Sequence, residues 1–188
     1  ALVVATVSGF IAGERIVYDP DVLVYFDKSS PARAAFDQVE ERFGRSQEVA
    51  TLLVAPPGRS VVEPEAIAVM ARLAAAKGDR VEVTAVRSPL DRIGVTPAQV
   101  LAASPDELAQ MAERIGATAR PDGSAALVSS DETTAAVAAI IPAVADNTLV
   151  EGLAAQYSQI RDGVQADTDF ELILAGRLVI DAAVLGGG

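Results

Sequence analysis

The chain has 188 residues, of which 51% are apolar and 22% are charged, and this length and composition fit one globular domain. Its net charge of −11 at pH 7 has the wrong sign for binding a phosphate backbone or an anionic membrane surface, so no nucleic-acid partner is expected. Cys and His are both absent, which excludes disulfides, thiolate nucleophiles, imidazole metal ligands and the Ser-His-Asp triad. We therefore expect no enzyme activity, no cofactor and no metal site.

The sequence has no apolar stretch long enough to cross a bilayer. The longest such stretch, residues 135–145, is interrupted by Pro142, whereas a spanning helix needs about 20 residues. Residues 1–12 are apolar but lack the basic segment with which a signal peptide begins. The apolar start and the abrupt glycine-rich end predict a piece cut from a longer protein.

The first predicted elements lie before residue 45. Residues 16–26 read as an extended segment, in which the neighbours Tyr25 and Phe26 point to opposite sides, so at least one of them is expected to be exposed. A helix is predicted from Pro31, which follows a Ser, to a closing glycine at position 44. The apolar face of this helix consists of Ala32, Phe36, Val39 and Phe43.

A strand, a helix and a second strand are predicted next. The first strand covers residues 50–55, and the helix starts at Pro64, because proline is favoured at the first helical position. The buried face of this helix is expected to hold Ile67, Met70 and Leu73, with Gly78 closing it. The second strand covers residues 81–86, where Val81, Val83 and Ala85 alternate with Glu82 and Thr84.

Residues 90–122 are predicted to form a small helical insertion. Pro97 and Pro105 each follow a Thr or Ser and mark helix starts. Ser104 and Glu107 have the spacing of a capping box, in which each side chain bonds the other residue's backbone N–H. The second helix is expected to bury Leu108, Met111 and Ile115 and to end at Gly116.

The last part of the chain predicts a hairpin, a long helix and a final strand. Two strand-like runs, 125–129 and 134–141, flank the polar residues 130–133, which are typical of a turn. A helix beginning near Asp146 carries Leu149, Leu153, Tyr157, Ile160 and Val164 on one face. The last strand is predicted over 170–175.

Without the insertion, the order of elements from residue 50 is close to βαββαβ. This order predicts an α+β fold, specifically a ferredoxin-like (split βαβ) α/β sandwich with a small helical insertion. The predicted hairpin supplies one strand more than that scheme needs. Such a sheet packs one face on its two helices, and we expect the other face to be free for a partner.

No catalytic constellation is visible among the reactive side chains. The pairs Asp19/Asp21 and Asp167/Asp169 have the spacing of calcium-loop carboxylates, but neither continues into the full motif, so solvated loops are favoured. Residues 129–132 could be read as a Ser nucleophile with acidic neighbours, but a turn is favoured because no His is present. A hydrolase using two carboxylates remains an alternative that no motif favours.

Several segments, taken in order, resemble the extracytoplasmic loop of exporters of the RND superfamily, especially its MMPL branch. The first part of the resemblance consists of Asp21-Val-Leu-Val-Tyr-Phe-Asp27, Ser30-Pro31-Ala32-Arg33 and a helix ending in Arg42-Phe43-Gly44. The rest consists of a strand at 51–55, Glu63-Pro64-Glu65-Ala66, Val83-Thr-Ala-Val-Arg-Ser-Pro89 and Phe170-Glu-Leu-Ile-Leu-Ala-Gly176. The resemblance covers residues 17–180, and its weight comes from the order and spacing of the segments.

The resemblance implies a single porter-type domain over residues 1–188. Residues 1–30 would be an extended lead-in from a membrane helix, and residues 31–180 would form the sandwich. The domain would lie on the periplasmic, extracytoplasmic side of the bacterial inner membrane, as part of an integral membrane protein. Its partners would be the exporter's own transmembrane helices, a second porter loop, and a hydrophobic or amphiphilic, lipid-like substrate.

Two surfaces are predicted to contact substrate or partner, namely the free sheet face and the segment with Tyr25 and Phe26. The alternative is a stand-alone ferredoxin-like module that binds a ligand or regulates another protein.

Overall fold

The computed structural model describes residues 46–118, 127–144 and 146–186, all within one compact unit, Arg45–Gly188. The strands in the described residues are β1 (Ser46–Val54), β2 (Ala85–Arg87), β3 (Thr134–Pro142) and β4 (Glu171–Ala175). Their α-helices are α1 (Pro64–Gly78), α2 (Pro97–Leu101), α3 (Pro105–Thr118), α4 (Asn147–Gln165) and α5 (Arg177–Gly186). A 3-10 helix, Pro89–Ile93, precedes α2. The predicted α+β class is confirmed.

The four strands form one antiparallel sheet in the order β2-β3-β1-β4. In the central pair, Val49 lies opposite Ala139, and Thr51 lies opposite Val137. On the other side of β1, Leu52 lies opposite Ile173 of β4. Side chains alternate between the two faces of a strand, so this register determines which residues share a face.

One face of the sheet is covered by helices. Leu53 and Val137 on this face pack with α1 and with the insertion helices in a first core cluster. Val49 packs in a second cluster with Tyr157 of α4 and Leu178 of α5, and all three side chains are fully or almost fully buried. In the described part of the chain, both core clusters therefore lie on one side of the sheet.

The helix α1 agrees with its prediction. Ile67, Met70 and Leu73 are fully buried, and the helix ends at Gly78. The capping box before α3 is also confirmed, because Ser104 N donates to Glu107 Oε2 at 2.7 Å and Glu107 N donates to Ser104 Oγ at 3.4 Å. Gly116 does not end α3, which continues to Thr118.

The strand predicted over 81–86 is wrong for its first half. Val81 is 98% exposed, because the chain leaves α1 through a turn in which Val83 N donates to Arg80 O at 3.1 Å. The paired strand covers only Ala85–Arg87, with Val86 as the residue that faces the core. The alternating valines belong to a turn and not to a half-buried strand.

The predicted hairpin has its turn but not a full first strand. Val128 forms an isolated bridge with Ala135, and residues 125–126 lie outside the described residues. Asp131 Oδ1 accepts hydrogen bonds from Ser129 Oγ at 2.6 Å and from Thr133 Oγ1 at 2.9 Å, so the turn is held by its own side chains. In the described part of the chain, the strand in excess of the βαββαβ order is thus reduced to a single bridge.

The buried face of α4 differs from its prediction at one residue. Leu149 is 59% exposed, while the neighbouring Val150 is buried. Val150, Tyr157 and Val164 repeat every seven residues and point to the sheet, and Leu149 lies about 100° around the helix from this stripe. The helix is capped by Asp146, whose Oδ1 accepts from the N–H of residue 148 at 2.8 Å. The predicted segment 16–26 and the helix over 31–43 lie outside the described residues.

Candidate functional site

The face of the sheet opposite the helices is apolar, and we call it the open sheet face. None of its residues belongs to either core cluster. It consists of Ala50, Leu52, Val54, Ala136, Ala138, Ile140 and Ile173.

The large side chains of the open sheet face lie across three neighbouring strands. Ile173 on β4 is 40% exposed, and its partner Leu52 on β1 is half-buried. Ile140 on β3 is half-buried as well. Alanines at positions 50, 136 and 138 lie among them, so none of these central positions carries a charged residue. Such a surface suits contact with an apolar partner.

Charged residues lie at two margins of the open sheet face. Arg87 of β2 and Glu48 of β1 form an ion pair at 3.6 Å, although β3 lies between their strands. These side chains therefore reach across β3 near Ala138, which is only 3% exposed. Glu171, which pairs with Val54, marks the opposite end of the face. The apolar centre thus has a polar rim.

The last helix carries a second exposed apolar patch. Ile180 and Val184 lie one turn apart on α5 and are 60% and 48% exposed. Leu178 and Leu185 on the other side of the same helix pack in the second core cluster. Apolar residues therefore occur on both sides of α5.

A lysine side chain lies inside the core. The side chain of Lys77, in the last turn of α1, is fully buried, and its Nζ donates to Val49 O and Val137 O at 2.8 Å each. Burial lowers the pKa of Lys77 to about 7. The sequence contained a signal for this position, because Lys77 lies seven residues after Met70 on the buried stripe of α1.

The insertion contains an open groove of about 510 Å³. Its lining includes Ile93, Val95 and Met111, and the side chains of Glu107 and Arg114. Arg114 Nη2 donates to Ile93 O at 2.7 Å, which fixes the guanidinium within the groove lining. The hydrogen bonds from Ser104 lower the pKa of Glu107, so this carboxylate stays ionised in the capping box at the start of α3.

The acidic residues considered as reactive groups serve structural roles in the described ranges. Hydrogen bonds from Ser129 and Thr133 lower the pKa of Asp131 and keep it ionised in the turn. Asp167 accepts from Arg72 at 3.5 Å, which joins the loop before β4 to α1. Within residues 46–118, 127–144 and 146–186, no group of three or more acidic side chains could hold a metal ion.

The two predicted contact surfaces fare differently. Among the described residues, neither core cluster includes the second sheet face, which stays a predicted contact surface, whereas Tyr25 and Phe26 lie outside the described residues. The described helices include none that is both long enough and apolar enough to span a bilayer. No protein-family model and no curated protein matches the chain.

Proposed function

We propose that this chain is an extracytoplasmic loop domain of an RND/MMPL-type membrane exporter. In this role it guides a hydrophobic or lipid-like substrate and docks with a second porter domain of the same exporter. The observation that carries the proposal is the open sheet face, an apolar surface on an otherwise acidic domain.

The order of strands supports a ferredoxin-like arrangement for this domain. Helix α1 connects β1 to β2, helix α4 connects β3 to β4, and the strands lie in the order β2-β3-β1-β4. This is the order expected of two split βαβ units that interlock in one antiparallel sheet. The 3-10 helix, α2 and α3 are then an insertion between the second and third strands.

The composition of the open sheet face and of the exposed patch on α5 supports a different partner for each surface. The open sheet face has apolar residues at its centre, with the Arg87–Glu48 pair across β3 at one end and Glu171 at the other, which suits a lipid-like chain or the apolar surface of a sister domain. The exposed patch on α5, with Ile180 and Val184, lies at the end of the described chain, where the exporter reading places the approach to a membrane helix. The proposed location is therefore the extracytoplasmic side of the inner membrane.

The groove in the insertion favours a second candidate function. It is an open groove lined by both apolar and polar side chains, including the Arg114 guanidinium, a combination found in small-ligand sites. A stand-alone ligand-binding or regulatory module would use this groove. Its ligand would contact Arg114 and Met111, and the open sheet face would contribute nothing to binding.

Binding of a fluorescent lipid tests the role of the open sheet face. We expect the 188-residue protein to bind a dansyl-labelled long-chain acyl probe, and Ile173→Lys to weaken binding about tenfold or more. A charge placed beside Leu52 removes apolar contact worth at least about 1.4 kcal/mol.

Val81→Lys is the matched control, since it adds the same charge at a residue that is 98% exposed in a turn. It is expected to bind like the wild type. Absence of binding by the wild-type protein, or equal binding by both variants, would refute this role for the open sheet face. Loss of binding on Arg114→Ala alone would instead favour the ligand-binding module.

A further inference from the structure

Lys77 joins three elements of the fold through one amine. Its side chain extends from the last turn of α1 to the carbonyl oxygens of Val49 on β1 and Val137 on β3. These carbonyls belong to the peptide groups that lead into Ala50 and Ala138, which lie opposite each other in the sheet. The amine is therefore bound directly behind the centre of the open sheet face.

No acidic partner compensates the charge of this amine in the described residues. Loss of hydration is the one cause of its lowered pKa, and no carboxylate opposes it. Just after the end of α1, the next ionisable residue is Asp79, which is exposed. On β1, the carboxylate of Glu48 lies on the opposite face, in the ion pair with Arg87. The groups around the amine on β3 are apolar apart from backbone carbonyls.

The remaining polar groups around Lys77 are hydroxyls without partners. The Oγ1 of Thr51, whose Cα partner is Val137, is buried and makes no hydrogen bond within the described part. The Tyr157 ring on α4 lies 5.9 Å from Lys77 Nζ, and its hydroxyl is also buried without a hydrogen bond there. Burial and then the nearby Glu82 carboxylate raise the pKa of Tyr157 to about 12, so this phenol stays neutral. The charged neighbours of Tyr157, Arg80 and Glu82, pair with each other at 3.2 Å.

We infer that Lys77 makes the packing of α1 against the centre of the sheet sensitive to protons, with protonation of the buried amine loosening this contact. A neutral amine is tolerated in the core with two carbonyl acceptors. A charged ammonium without an acidic partner is stabilised when water reaches it, because its loss of hydration in the core is then restored. Separation of the end of α1 from β1 and β3 is the movement that admits this water.

The direction and size of the pH effect on opening follow from the difference between the pKa of Lys77 in the open form and in the closed form. Once α1 has moved away, the amine regains its ordinary pKa of 10.5, whereas in the closed domain its pKa is about 7. Between these values the open form binds a proton that the closed form does not. The equilibrium constant for opening therefore rises by up to about tenfold for each pH unit of acidification between pH 10 and pH 8, rises less steeply near pH 7, and levels off at about pH 6.

A titration by NMR measures the proton affinity of Lys77 directly. The chain has two lysines, Lys28 and Lys77, so Lys28→Met assigns the Cε signals of protein labelled with ¹³C-lysine. We expect the remaining signal to titrate near pH 7. A midpoint near 10 would overturn the inference.

Hydrogen exchange tests whether the proton controls opening. The opening constant for the amides of Thr51 and Ala139, corrected for intrinsic exchange rates, should be about fiftyfold larger at pH 7 than at pH 9 in the wild type. Lys28→Met should preserve this ratio, and Lys77→Met should bring it close to one. A titration near pH 7 without a change in amide protection would also overturn the inference, as would an equal pH dependence in Lys77→Met.

Discussion

Leu53→Ala is expected to lower the free energy of unfolding by about 3–5 kcal/mol. Leu53 is fully buried on the helix-covered face of β1, where it packs in the first core cluster with α1 and β3. Truncation leaves a cavity between α1 and the sheet, and the loss of transfer free energy adds to the loss of packing. Urea unfolding followed by circular dichroism measures the change.

The neighbouring residue provides the control for this prediction. Leu52 is the same residue type on the same strand, but it is half-buried on the open sheet face and belongs to neither core cluster. Leu52→Ala is expected to cost about 1 kcal/mol, because little packing is lost there. Equal losses for the two variants would mean that both faces of the sheet are covered, and the open sheet face would be abandoned as a contact surface.

Gly176→Ala is expected to destabilise the protein by about 3 kcal/mol or more. Gly176 connects β4 to α5 with a φ of +121°, a conformation that residues with a Cβ rarely adopt. A Cβ at this position would lie 2.4 Å from the backbone oxygen of Glu48, so the chain would have to move away from β1. Strain and collision act together, and neither can be relieved by turning a flexible side chain.

Gly152→Ala is the matched control for Gly176→Ala. Gly152 lies within α4, and a Cβ there would meet nothing within 4 Å. Because alanine is the better helix former, this variant should be more stable by about 0.5–1 kcal/mol. If Gly176→Ala unfolded at the same urea concentration as the wild type, the tight contact between residue 176 and β1 would be disproved, and with it the position of α5.

Local signals in the sequence predicted much of the fold. The first N–H groups of a helix have no acceptor within the helix, so a proline, which lacks this N–H, is favoured there. The prolines that start α1, α2 and α3 therefore mark the beginnings of these helices independently of tertiary contacts. The apolar spacing of α1 is equally local, and Ile67, Met70 and Leu73 are buried as expected. These features combine to predict the α+β class.

Predictions that depended on distant contacts were less successful. Val81 alternates with polar neighbours, yet the turn after α1 leaves it in solvent, because the sheet offers β2 a partner only from Ala85 onward. Leu149 has helical spacing with the predicted stripe, but the sheet lies under Val150 instead. Which side of a helix meets the sheet depends on the path of the whole chain.

The candidate site was predictable only in outline. A sheet with helices on one side implies a free second face, and the structure places apolar residues there. The role of Lys77 could not be derived in the same way, since its two acceptors lie 28 and 60 residues away in sequence. Sequence spacing placed this lysine on the buried stripe of α1 but did not reveal what the amine would meet there.

The coding sequence on either side of residues 1 and 188 tests the proposed exporter loop most directly. We expect an apolar segment of about 20 residues next to each end. A second loop downstream, with the same order of strands and helices, should follow as the sister porter domain. A start codon just before residue 1 and a stop codon just after residue 188 would contradict the exporter loop and favour the ligand-binding module.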